Sequence, residues 1–413
     1  MNIILKIFLL LVLTTKSYSL SIEDSIKSTI KSNPKVKIAL EKINESKELI
    51  NYAKGYKLPK ITASISGTYL NSEISSKGSK TSPERITDNY QISISQNLYD
   101  SGFNDLEIKR SKILFSNEII IFKNTIQDLI LDAINGYLAV INYEKSLEAN
   151  LKNYDSVSKV LDETRTRFEL GSATLYDLQK AEASFALATT NKFAAEQNIN
   201  IGKKIFKKII GLEAKNLEEI FDIDKLIDIE NLVNVSMDTN LNLILINNEI
   251  KNNKILILKE KKLKKSKLDI VGTGSYSDTG RIDNGTETTN GSIALKLTVP
   301  IFNKNQNNSN IKKYQSQIIQ SEISLIDAKE DLQILILNTF KDFKIYESKM
   351  KSNLVIIKSI KTSLSSLKAE YDIGTKTISD FIEEEEKLLN ANVNFLDSKK
   401  EYLLNYFKLK SYD

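Results

Sequence analysis

Hydrophobic positions recur at seven-residue steps through two long stretches of the chain. Val140, Leu147, Tyr154, Leu161 and Phe168 form the first set, and Phe343, Met350, Ile357, Leu364 and Tyr371 the second. That spacing is the period of helices packed side by side as coiled coils. Each member of the second set lies 203 residues beyond its counterpart, as Leu354 does from Leu151 and Ile360 from Val157. The apolar seam is itself repeated, which marks an internal duplication. No proline falls between Phe103 and Pro300 or after Pro300. Helices over about 103–170 and 306–373 are therefore predicted to run unbroken, for roughly 100 Å each at 1.5 Å per residue.

The same displacement superposes Phe168 to Leu178 on Tyr371 to Phe381, and Ile94 to Tyr99 on Leu297 to Phe302. Gly171 and Gly374 stand where one helical pattern stops and another begins. The second pattern reads Leu175, Leu178, Ala181 and Phe185 in one copy and Ile378, Phe381, Leu388 and Leu389 in the other. Each glycine reads as the residue that ends a helix before its return. Thr174 and Thr377 are placed to cap the return helices, with Asp177 and Asp380 three residues on as partners in a capping box.

Four segments change period from seven to two. Ile61, Ala63, Ile65, Gly67 and Tyr69 alternate with Thr62, Ser64, Ser66 and Thr68, and similar alternation runs through Tyr90 to Leu98, Ile270 to Tyr276 and Ser292 to Val299. Strands are predicted at about 60–70, 89–99, 268–277 and 291–302, with one face apolar and the other rich in hydroxyls. The connections 71–89 and 277–291 are rich in Ser, Gly, Asn, Asp and Thr, as long exposed hairpin loops should be. Four strands are too few to close a barrel, which needs about eight, so the subunit must oligomerise. Three chains would give an even-numbered barrel of twelve strands, and the pattern equally allows two or four chains.

Composition narrows the chemistry. The 413 residues contain no Cys and no His, with 41% hydrophobic and 27% charged residues. A chain without thiolate or imidazole lacks disulfides, nearly all transition-metal sites and most nucleophile and base chemistries. No enzyme activity, cofactor or metal is expected. The net charge of +5 arises from interspersed acids and bases, which is no nucleic-acid footprint. At the N-terminus, Lys6 precedes the apolar run Ile7 to Leu13, and Ser17-Tyr18-Ser19 reads as a small-x-small cleavage site. Residues 1–19 are thus expected to be a secretory signal, and the absence of a following Cys speaks against a lipoprotein anchor. The organisation expected after it is a first repeat at 20–212, a joining segment at 213–236 and a second repeat at 237–413.

These marks together resemble the TolC family of outer-membrane efflux proteins over essentially the whole mature chain. The resemblance is carried by Lys57-Leu58-Pro59-Lys60-Ile61 before the first strand, Ser95 to Gly102 ending the second, Thr298 to Phe302 ending the fourth, and the tips around Gly171 and Gly374. Departures are Asn97, where the family usually has proline, and Asn305, near where it often has glycine. The resemblance implies a mainly α protein with a transmembrane β part: a homotrimer in the outer membrane, with a twelve-stranded β-barrel continued by a long periplasmic coiled-coil barrel. It implies partners, a periplasmic adaptor (membrane fusion) protein and an energised inner-membrane transporter, with the joining segment lying in a belt that lacks a long C-terminal extension. The competing reading is a periplasmic coiled-coil adaptor or structural protein that conducts nothing. That reading does not explain two alternating strand pairs at repeat-related positions.

Site residues follow from both lines. Asp380, Glu383 and Glu384 share one helix face just past the second tip, and facing inward in a trimer they would repel one another and titrate high. Resemblance matches Asp380 and Glu383 to the family's acidic rings at the periplasmic entrance. It matches Tyr371 and Lys376 to residues that tether the inner hairpin to the positions of Tyr176 and Asp177, with Lys376 in place of the usual arginine. The tips, represented by Gly171, Ser172, Gly374 and Thr375, are expected to dock the adaptor. Lys259, Lys261, Lys262, Lys264, Lys265 and Lys267 crowd the approach to the third strand, as Lys54, Lys57 and Lys60 do the first, and are expected either to lie near the periplasmic face of the membrane, where lipid phosphates attract cations, or to be the solvated charges of a Lys-rich helix.

Overall fold

The structure, a computed structural model, describes residues 19–412 apart from 72, 77, 82–83, 220–222, 224–227, 281–284 and 374. The expected signal segment and Gly374 therefore lie outside the described residues, save for Ser19. In chain order the elements are helices α1 (Ile22–Ser32) and α2 (Pro34–Gly55), strands β1 (Lys60–Asn71), β2 (Ile74–Ser76), β3 (Ser79–Thr81) and β4 (Glu84–Tyr99), and helices α3 (Phe103–Glu169), α4 (Leu175–Ile210), α5 (Ile229–Thr239) and α6 (Leu241–Lys262). Strands β5 (Lys267–Gly280) and β6 (Thr286–Thr298) follow, then helices α7 (Gln306–Asp372) and α8 (Ile378–Lys410). The two longest helices, α3 and α7, have 67 residues each.

Two compact units emerge, and neither coincides with a sequence repeat. One comprises 39–122 and 241–328; the other comprises the chain up to 38, 123–240 and 329–413. Each draws on both halves of the chain.

The first unit is organised by an antiparallel sheet in the order β1-β4-β5-β6. Register gives the sheet two unlike faces. Ile61 pairs with Ile94, which pairs with Gly272, which pairs with Ile293. Two residues along, Ala63, Ile92, Gly274 and Gly291 form the next row, and Tyr90 and Tyr276 bring their rings to 6.1 Å in the row after it. The opposite face carries Thr62, Ser93, Thr273 and Ser292, where Thr273 and Ser292 share a hydroxyl–hydroxyl hydrogen bond of 2.7 Å. The apolar face is uncovered in the single chain: Ile61, Ile65, Ile293 and Leu295 are each about two-thirds exposed or more. β4 and β6 begin five residues earlier than the sequence pattern indicates, because backbone pairing continues past the last apolar position into the polar hairpin ends. β6 stops at Thr298 rather than 302, just before Pro300, which has no N–H to give a ladder.

Strands join the long helices through a repeated left-handed turn. Ser101 and Gly102 have φ of 58° and 82°, and Lys304 and Asn305, 203 residues on, have 41° and 56°. The need for glycine or asparagine there is conformational, since a Cβ in that region costs roughly 1 kcal/mol. Asn305 meets the need without glycine. Asn97, at the bulge where β4 meets β5, donates to Asp269 Oδ1 at 2.9 Å, an interaction proline could not make.

In the second unit, α3 and α4 pack through Ala133, Tyr137, Val140, Ile199, Phe206 and Ile210, all buried. The Tyr137 hydroxyl lies 2.7 Å from the Leu20 carbonyl and 2.8 Å from that of Glu218, and burial pushes its pKa up to about 12. It thereby ties both flanking segments to the bundle, alongside the bridge between Leu20 and Leu217. Gly202 lets the Tyr143 ring lie against the α4 backbone, where a Cβ would sit 2.6 Å from a ring carbon. Phe343 stacks on Tyr402 with ring centroids 4.8 Å apart.

Gly102→Ala should lower stability by about 1 kcal/mol through backbone strain alone, since nothing lies within 4 Å of its ideal Cβ. Gly55→Ala, equally unobstructed but at the end of α2, should be neutral or slightly stabilising. Heat-dissociation midpoints of the detergent-extracted protein would separate the two.

Candidate functional site

Both helical hairpins close by one device. After α3, Gly171 takes φ 73°, Ser172 N–H donates to the Arg167 carbonyl at 2.8 Å, and the Ser172 hydroxyl donates to it at 3.0 Å. After α7, the N–H and the hydroxyl of Thr375 each donate to the Glu370 carbonyl at 2.9 Å. The return helices open with matching capping boxes. Asp177 Oδ2 accepts from Thr174 N–H and hydroxyl, and Asp380 Oδ2 accepts from Thr377 N–H and hydroxyl. Leu170 and Ile373, which correspond in the repeat, are 77% and 75% exposed at the tips.

Behind the tips the two hairpins meet. Val160, Leu161, Ala181, Ile378 and Ile382 form a buried cluster against which Leu178, Phe185, Phe381 and Tyr371 pack. Arg167 lays its guanidinium over the Tyr371 ring, 4.3 Å from the centroid. Lys180 on α4 reaches Glu383 on α8 at 2.6 Å. These residues correspond in the repeat, so the return helices run in register at this level. The pair is open to water and salt, which screen it, so it is a register pin rather than a large source of stability. Tyr176 is exposed, and so is Lys376, whose charge adds to the field around Asp380.

The sequence pattern puts Asp380, Glu383 and Glu384 together as mutually repelling carboxylates of raised pKa. In the folded single chain each has its own environment, and Asp380 and Glu383 are held low by their own partners. Hydrogen bonds from the Thr377 backbone and side chain hold Asp380 below its usual range. The hydrogen bond and charge of Lys180 lower Glu383, while Glu384 accepts from Lys387 at 3.1 Å. The carboxyl that is raised is Glu385, which burial pushes up although the Ser156 hydroxyl donates to it at 2.9 Å. It lines a cavity of about 410 Å³ between α3, α7 and α8, faced also by Lys145, Glu148, Lys152 and Lys361. Sequence reasoning missed Lys180, Arg167 and Ser156. Only Lys180 left a signal, its 203-residue relation to Glu383.

The lysines at the strand–helix boundary separate into three groups. Lys57 pairs with Asp105, and Lys259 pairs with Glu107 beneath Arg110 and beside the Phe103 ring. Lys60 and Lys267 lie within β1 and β5 on the hydroxyl face, not the apolar one. Lys54, Lys261 and Lys265 are exposed. No helix among the described residues is long and apolar enough to cross a membrane, and no group of acidic residues there is arranged to hold a metal.

Residues 25–211 match the family model described as "Outer membrane efflux protein". The chain is 22% identical over 399 residues to the outer membrane protein TolC of Escherichia coli K12, covering 92% of this chain and 79% of that protein. It is 18% identical to the alkaline protease secretion protein AprF of Pseudomonas aeruginosa, covering 98% and 86%. The chain is similar in sequence and in fold to the TolC family of outer-membrane efflux proteins. Among solved structures, the Campylobacter jejuni CmeC outer membrane channel superposes with a TM-score of 0.76 at 16% identity, covering 95% of this chain and 85% of that one. The outer membrane protein VceC of Vibrio cholerae gives 0.75 at 12% identity and 95% coverage of both chains. The TolC-family fold is mainly helical, with each chain giving four strands to a trimeric twelve-stranded barrel, and the four-stranded sheet and paired long helices seen here are one chain's share. These likenesses support an efflux or secretion duct of the Gram-negative outer membrane that extends into the periplasm, and the proteins matched are channels.

Glu385→Gln tests the buried carboxyl. Its folded pKa lies above the unfolded value, so the native state is penalised at neutral pH, and the penalty lifts as pH falls through the folded value toward the unfolded one near 4.5. The variant should be more stable than wild type at pH 7 and should lose this component of the pH dependence. Thermal melts at pH 7 and pH 5 would show it.

Proposed function

We propose that the protein is the exit duct of a three-part export machine: a homotrimer docked by a periplasmic adaptor and driven by an inner-membrane transporter, itself catalysing nothing and needing no cofactor. The observation that carries this reading is the four-stranded sheet with one apolar face, one hydroxyl face and two unpaired edges, which only further copies can close in a membrane. Small molecules and polypeptides are both suitable cargo. The halves 20–212 and 237–413 act as equivalent repeats joined by the belt segment 213–236, within which Glu219 pairs with Lys145 and Lys399.

The entrance gate lies at the second hairpin. Asp380 and Glu383 supply acidic rings, while Tyr371 and Lys376 tether toward Tyr176 and Asp177. Lys180–Glu383 adds a link that joins a ring residue to the neighbouring hairpin. Opening breaks these contacts and swings the Tyr371-bearing hairpin outward, a population shift toward an open trimer. The adaptor docks at the tips, where Ser172 and Thr375 close the turns and Leu170 and Ile373 stand exposed.

Heat-resistant trimers in the outer-membrane fraction that open single channels in planar bilayers are the expected result, and a soluble periplasmic monomer would exclude the duct. Lys376→Ser with Tyr371→Phe should raise conductance. Asp380→Asn with Glu383→Gln should abolish block by a trivalent cation added at the periplasmic side; block unchanged would move the gate elsewhere. Ser172→Arg should leave trimers intact and lower export, and export at the wild-type level would place docking away from that tip.

A further inference from the structure

Charge in the sheet is segregated by face. The four basic residues of β1, β4, β5 and β6 are Lys60, Arg85, Lys267 and Lys296, and register puts all four on the hydroxyl face. Of the five acids, Glu84, Asp88, Asp278 and Glu287 fall on the opposite face, with Asp88, Asp278 and Glu287 paired across one row. Asp269 alone shares the basic face. It is already engaged, with Lys267 at 3.0 Å and Asn97 at 2.9 Å.

Lys60 and Lys296 have no ion pair among the described residues, and they sit in adjacent rows near the helical end of the sheet: Lys60 opposite Ser95, and Lys296 opposite Asp269. Arg85 lies at the other end. The surrounding hydroxyl face offers water-like polarity, and its one carboxylate, Asp269 opposite Lys296, is already shared with Lys267 and Asn97. Two unpaired ammonium groups per chain at one level are therefore a feature of that face, not a scatter of surface lysines.

We infer that Lys60 and Lys296 form a basic ring in the barrel lumen that holds multivalent anions on their way through. The inference rests on the duct reading, because closure of three copies turns the hydroxyl face inward and repeats the two lysines around one axis. A single exposed lysine in salt water acts over only about 8 Å. Several around a narrow aqueous passage with low-dielectric walls focus their field, as basic rings do in anion-conducting pores. The recognised chemistry is a cluster of negative charges, such as a polyphosphate or an acidic peptide segment. The acidic entrance and this ring would then act in series with opposite charge preference.

The test is block of the full-length protein in planar bilayers by tripolyphosphate added from the side of the strand loops, which meets the barrel before the helices. Wild-type channels should be blocked, Lys60→Gln with Lys296→Gln should raise the blocking concentration by roughly tenfold or more, and Lys60→Arg with Lys296→Arg should keep the block. The glutamine pair should also shift the reversal potential in a KCl gradient toward cations. Unblocked wild-type channels, or block undiminished in the glutamine pair, would overturn the ring while leaving the duct standing. No channel events from any form would overturn the duct reading, and the ring with it.

Discussion

Backbone N–H and C=O groups cannot be left unpaired in hydrocarbon, and this constraint governs the molecule. The sheet presents an apolar face that water disfavours and two edges, on β1 and β6, that lipid disfavours. Neither defect can be repaired within one chain, because four strands are too few to close. Oligomerisation is therefore a condition of the fold. The hydroxyl face, the sequestered cations and the hairpin ends beyond the apolar rows make sense once the sheet is one part of a closed wall.

The helical parts solve a different problem. Long helices with a seven-residue seam bury little per residue and are held by many small contacts, so their ends need explicit closure. Here that closure is duplicated down to the hydroxyl that satisfies the last carbonyl and the aspartate that caps the return. The capping aspartates also show how one residue type can hold two offices. A carboxylate fixed by its own helix cap is oriented and kept ionised, as the gate proposed above would require.

Much of this was legible in the sequence because repetition doubles the signal. The long helices, the tips and the four strands each leave a period that a second copy repeats at the same displacement. What escaped was whatever depends on contact between the copies. The Lys180 partner of Glu383, the Arg167 cover on Tyr371 and the buried setting of Glu385 are set by packing of α3, α4, α7 and α8, which no single period encodes. The strand starts were missed for a simpler reason: ladder hydrogen bonds ignore side-chain polarity, so β4 and β6 extend into residues that read as loop. The face that Lys60 occupies was hidden because proximity in sequence to other lysines says nothing of face, and a shift of one residue along a strand reverses it.

The ion pair between Lys180 and Glu383 has an evolutionary corollary. Two residues at the same repeat position touch, so an ancestor that packed identical single-repeat hairpins in this register would have set like against like. Lysine against lysine, or glutamate against glutamate, would have pushed the helices apart at that level. The attraction can exist only in a chain whose halves have diverged, with one copy keeping or acquiring the cation and the other the anion. Duplication within one gene thus permitted a distinction that assembly from equal parts forbids: each hairpin can carry a charge that identifies it to its neighbour, and only then can one of the two be moved without the other.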